Sequence, residues 1–146
     1  APGSVGRVRD PDGAAPGEIE VAVCGAHMSG LPLNPELTRL GARFLRRGPT
    51  LPEYRLYSLP GGPPRRPGLV RSATGGTAIE VEVWALPAAH FGTFMEGIPA
   101  PLSIGTLRLA DGTMPKGFLC EAAAIGAAED VSAFGGWRRV LAETAT

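Results

Sequence analysis

Between Ile19 and Cys24 the apolar residues Ile19, Val21 and Val23 alternate with Glu20, Ala22 and Cys24. That two-residue period predicts a strand with one packed face, ending at Gly25. Asn34-Pro35-Glu36 then combines a capping amide, a first-turn proline and an acid suited to the positive end of a helix dipole. Leu37, Leu40 and Phe44 follow at helical spacing, and Gly41 keeps this helix short. A second strand is predicted from Tyr54 to Leu59, closed by Pro60-Gly61-Gly62-Pro63-Pro64. Pro67-Gly68-Leu69-Val70 enters another, and Gly75-Gly76 supplies a hairpin-type turn into a long strand from Thr77 to Leu86. Pro87 opens a helix in which Phe91, Phe94 and Met95 share a face, with Gly97 as its stop. Ile104 to Leu109, the turn Asp111-Gly112 and Lys116 to Glu121 form the clearest hairpin, and a last helix is expected from Ser132 to Glu143, weakened at Gly135-Gly136. About six strands and three short helices, joined mostly by hairpin-length loops, predict an α+β fold with an antiparallel or mixed sheet curled toward a small barrel.

Composition changes this picture only at the edges. A chain of 146 residues suits one domain with a real core. Ala1 to Gly17 holds three Pro and four Gly without apolar periodicity, so residues 1–18 are expected to be a flexible leader or linker and residues 19–146 the domain. Hydrophobic residues make up 44% and charged residues 19%, and no apolar run approaches the ~20 residues that cross a bilayer. The leader lacks the pattern of a signal peptide, and a cytoplasmic location is expected. Formal net charge is zero, which leaves no field to hold nucleic acid or an anionic membrane. Thirteen Arg stand against a single Lys, Lys116; the base composition of the source genome and a set of planar anion clamps both account for it. Cys24 and Cys120 read as buried thiols, and with His27 and His90 far apart neither the spacing nor the ligand count suggests zinc. No cofactor or metal is implied.

Three stretches carry a family resemblance: Val21 to Asn34 (Val-Ala-Val-Cys-Gly-Ala-His-Met-Ser-Gly-Leu-Pro-Leu-Asn), Tyr54-Arg55-Leu56-Tyr57 running to Pro67-Gly68-Leu69-Val70, and Ile98 to Gly105. With Phe134-Gly135-Gly136-Trp137 near the end, they resemble the C-terminal domain of allophanate hydrolase over roughly residues 19–142. The resemblance implies a small mixed β-barrel with flanking short helices, akin to γ-glutamyl cyclotransferase. It also implies a role in urea or s-triazine nitrogen catabolism: an amidase half deaminates allophanate, and this domain removes carbon dioxide from the product, N-carboxycarbamate. The expected partners are therefore a small dicarboxylate-like substrate and an amidase-signature domain, in cis or in trans, with a homo-oligomer as a further possibility. The amidase chemistry needs a lysine paired with two serines, and Lys116 sits in no such segment.

A compact dianion whose C–N bond breaks as nitrogen gains a proton requires anion clamps and one proton donor. His27, in the family-like loop after the first strand, fits the donor because an imidazole titrates near neutrality. A lone histidine without that context is ordinarily a surface or structural residue, as His90 is expected to be. The small residues Gly25, Ala26, Ser29 and Gly30 let backbone N–H groups approach an anion, so Gly25, Ala26 and Met28 enter the predicted binding set with Asn34, Arg39 and Tyr57. Glu80 and Glu82 share a strand face, where a dianion would be repelled, and are assigned to a polar face or to ion pairs. Glu96 stands near the acid/base position of a cyclotransferase and sustains that alternative. A non-catalytic assembly module of the hydrolase is the other.

Overall fold

The computed structural model describes residues 13–144. Its elements are β1 (Glu18–Val23), α1 (Asn34–Thr38), β2 (Arg43–Pro49), β3 (Tyr54–Ser58), β4 (Pro67–Arg71), β5 (Glu80–Pro87), α2 (Phe91–Glu96), β6 (Leu102–Thr106), β7 (Lys116–Cys120), β8 (Glu129–Asp130) and α3 (Trp137–Thr144). The strands form a five-stranded sheet of order β2-β5-β1-β7-β6 and a three-stranded sheet of order β4-β3-β8. β1 pairs antiparallel with β5, from Glu18 opposite Pro87 to Val23 opposite Glu82, and parallel with β7 at Val21 and Ala22. The other pairings are antiparallel. The α+β class and mixed sheet are as expected, but the two sheets lie against each other without closing into a hydrogen-bonded barrel.

Burial explains the sheet order. β5 is buried from Val81 through Leu86 because β2 and β1 flank it and both faces are covered, and its sequence there is apolar except at Glu82. Trp137 from α3, Tyr54 and Leu56 from β3, and Leu37 from α1 fill the core at 1% exposure or less. Tyr54 is buried at no polar cost because its hydroxyl accepts the Arg108 N–H at 2.9 Å. Among the described residues no helix is long and apolar enough to cross a membrane.

Several expectations give way to tertiary contacts. Phe44 lies on a strand: Gly41, at φ +83°, turns the chain out of α1, and the Ala42 N–H bonds back to Leu37. The following residues pair with β5 through a bulge between Phe44 and Arg46, and Arg43 and Arg46 meet Glu18 and Glu20 of β1. Asn34 is the first residue of α1, with Leu33 at the cap position and no side-chain capping bond. The strand after Pro67 does not hairpin into β5; it pairs with β3, while Thr77 bridges Tyr54. β6 begins two residues before Ile104 and ends at Thr106, so the turn at Asp111-Gly112 lies within a longer connection to β7. The last helical segment splits, as its glycine pair suggested: a 3₁₀ turn at Ser132–Phe134, Gly135 at φ +78°, then α3. Most of the expected leader lies outside the described residues. Its described end is tied down, with the Ala15 N–H on Glu18 at 2.7 Å and the Gly17 carbonyl accepting from Ala88 at 2.8 Å.

Candidate active site

The chain leaves β1 into consecutive tight turns. The Met28 N–H returns to the Gly25 carbonyl at 3.0 Å, the Leu31 N–H to Met28 at 3.0 Å, and the Leu33 N–H to Ala26 at 2.8 Å. Ala26 and His27 are thus the central residues of a β-turn, and since neither has positive φ the turn is of the type I kind. Such a turn uses the amide of its last residue and leaves the two central amides unbonded. Those of Ala26 and His27 have no partner among the described residues. Gly25 serves a different purpose from the one read in the sequence: a Cβ there would lie 2.6 Å from Pro67 Cδ, so the missing side chain makes room for β4.

His27 is 7% exposed. Its ring stacks on Phe118 with centroids 5.0 Å apart and meets the edge of Phe94 at 5.4 Å. Nε2 lies 2.8 Å from Glu36 Oε1, on the first turn of α1. Nδ1 is the ring nitrogen left without a partner among the described residues. Burial lowers the imidazole pKa below its usual 6.5, the bond and charge of Glu36 oppose that, and the charge of Arg66 lowers it further. Arg66 and His27 line one crevice of about 20 Å³, with Cys24, Gly25, Ala26 and Phe118. Arg66 is half-buried, and no ion pair or side-chain hydrogen bond ties it among the described residues. Burial pushes the neighbouring Cys24 thiol up to about 12, which excludes a thiolate at neutral pH. Among the described residues no group of three or more His, Cys, Asp or Glu is placed to hold a metal ion.

A crevice with one histidine and one arginine does not by itself name a family; sequence does. Residues 19–142 match the model of the allophanate hydrolase C-terminal domain. The chain belongs to this family. It is 39% identical over 132 residues to the urea amidolyase of Saccharomyces cerevisiae, a match covering 88% of this chain and 7% of that protein. A solved Kluyveromyces lactis allophanate hydrolase superposes with a TM-score of 0.83 at 36% identity, over 86% of this chain and 21% of that one. A uropathogenic E. coli-specific protein superposes with a TM-score of 0.80 at 37% identity, covering 86% of this chain and 96% of that one. The same fold, γ-glutamyl cyclotransferase-like, extends to a mouse aig2-like protein (ggact) at a TM-score of 0.52 and 19% identity. The chain thus spans less than a tenth of the length of the urea amidolyases it matches, which are far larger proteins.

Within the allophanate hydrolase C-terminal domain, the predicted residues separate. Gly25, Ala26 and His27 come together at the crevice. Asn34 supports them from behind: its Nδ2 donates to the His27 carbonyl at 2.8 Å, so the side chain braces the turn. Met28 is 2% exposed and faces the core and a separate crevice beside Trp137 and Arg138. Arg39 is exposed after α1, and Tyr57 is half-buried on β3; neither lines the His27 crevice. Glu96 is exposed and also outside it, and His90 is exposed as expected. Glu36 and Arg66 were missed. Glu36 carries a sufficient explanation as a helix-start acid, and Arg66 lies in a Pro/Gly-rich turn with no periodicity to mark it; its one signal is its place inside the second family-like stretch.

Glu82 holds the loop from the opposite side. Its carboxylate is fully buried and accepts from the Ser29 N–H (2.8 Å) and hydroxyl (3.1 Å), the Trp84 indole (3.1 Å), Arg47 (3.1 Å) and Arg138 (2.8 Å). Burial alone would raise its pKa, but these donors, Arg138 foremost, bring it down to about 2. The predicted ion-pairing role is therefore met by Glu82, while Glu80, two residues away, stays exposed.

Proposed function

We propose that this domain removes carbon dioxide from N-carboxycarbamate, the product of an amidase partner, with His27 as proton donor and Arg66 as carboxylate clamp. The observation that carries the reading is the half-buried guanidinium of Arg66, free of any acidic partner among the described residues, sharing a crevice with the buried imidazole and the unpaired Ala26 and His27 amides. Arg66 and the turn amides neutralise one carboxylate and orient the nitrogen toward His27. As the C–N bond to the other carboxylate breaks, its electron pair passes to nitrogen, which takes a proton from the imidazolium at Nδ1; carbon dioxide and carbamate leave. Glu36 keeps Nε2 engaged and stabilises the charged ring. In the ligand-free domain burial and Arg66 disfavour imidazolium, and a bound dianion reverses that balance by offsetting Arg66 and raising the imidazole pKa. Substrate binding thus favours the charged ring.

The test generates N-carboxycarbamate from allophanate with an amidase half in trans and follows carbon dioxide release beyond the spontaneous rate. His27→Gln should slow the domain-dependent part by about 10²-fold or more, the usual worth of a general acid, and Arg66→Gln should chiefly raise KM. Acceleration that survives His27→Gln would remove the histidine from the mechanism, and a native domain that joins the amidase half without accelerating release would be a binding module in place of a catalyst.

A further inference from the structure

The His27 crevice adjoins a much larger groove of about 750 Å³, and Arg66 and Leu102 line both. Residues 59–64, residues 99–102 and the helical turn Ala122–Ala127 form its walls. Their surface is proline rings, alanine and leucine side chains and glycine backbone, and Arg66 is the one charged residue in the lining. Apart from Arg66 such walls offer a compact dianion no charged side chain, and it has no use for the space. A carboxylate with an apolar tail uses both parts, because the tail displaces water from apolar surface while the charged end meets a guanidinium and two free amides. We infer that the domain also binds monocarboxylates with a linear apolar tail, the carboxylate at Arg66 and the turn amides of Ala26 and His27, the tail along the proline-alanine groove. The carboxylate end rests on the anion-binding reading above; the groove end stands on the lining alone.

Titration of the full chain with acetate, butyrate, hexanoate and malonate, followed by NMR at the His27 ring and the amides of residues 25–27, separates the two. Kd should fall about fourfold for each added methylene that is fully buried. Ala123→Trp and Ala127→Trp, both at exposed positions of the groove turn, should cancel the gain of hexanoate over acetate and leave malonate binding as it is. Hexanoate binding no tighter than acetate, or a gain that persists in both tryptophan variants, overturns the inference while malonate binding that weakens in Arg66→Gln keeps the anion site intact. Malonate that ignores Arg66→Gln overturns the anion site, and the groove proposal with it.

Discussion

At the residue scale burial and two charged neighbours pull the pKa of His27 in different directions. Burial lowers the pKa of His27, Glu36 raises it and Arg66 lowers it, so Glu36→Gln should move the imidazole titration to lower pH and Arg66→Gln to higher pH. An NMR titration of the His27 ring protons reads both shifts, and equal midpoints in all three proteins would remove Glu36 and Arg66 from the account. The same depression has a consequence for stability. The unfolded chain gains its His27 proton near 6.5, before the folded domain does, so this stability is fully present above about 6.5 and is lost as pH falls toward the folded value. Melting temperature should decline over that window in the native protein, with the His27 part of the decline absent in His27→Gln.

At the element scale the His27 turn is held between two supports. Pro67 of β4 occupies the space that a side chain at residue 25 would take, and Glu82 of β5 ties Ser29 to β2 through Arg47 and to α3 through Arg138. Arg138 closes the triangle by donating to the Ser29 carbonyl at 2.7 Å. A fully buried carboxylate that accepts from Ser29, Trp84 and two arginines is costly to lose, because Gln cannot accept all of those bonds and sets its own amide hydrogens against the donors. Glu82→Gln should cost about 1–3 kcal/mol and lower Tm by several degrees, whereas exposed Glu80→Gln should change Tm little. Thermal unfolding of the two variants side by side makes the comparison, and equal Tm values would show that the arginines find water instead.

At the scale of the whole molecule, the proposed reaction is a single step, and the one before it is assigned to an amidase half. The relatives it matches are many times longer, and the resemblance implies that deamination of allophanate needs a lysine paired with two serines. Lys116, the one lysine of the chain, is exposed at the start of β7 and donates to Thr106 at 3.1 Å. The chain alone should therefore release no ammonia from allophanate; a coupled ammonia assay checks this, and sustained turnover of pure allophanate would sink it.

What the sequence determined by itself was local or carried by family resemblance. The alternation of Ile19, Val21 and Val23 marked β1, and the Phe91 and Phe94 spacing marked α2, because neighbouring residues set those periods. The loop at His27 was legible through its likeness to a known family, which the family match bears out. The tertiary structure decided whatever depends on a distant partner. Phe44 sits at helical spacing from Leu37, yet β5 offers it backbone hydrogen bonds that α1 cannot supply beyond Gly41. Glu82 looked like its neighbour Glu80 until Ser29, Arg47 and Arg138, 53, 35 and 56 residues away, converged on it alone. Arg66 acquired its place beside His27 in the same way, since a turn with no period of its own takes its position from the strands it joins, and β4 carries it to the end of β1.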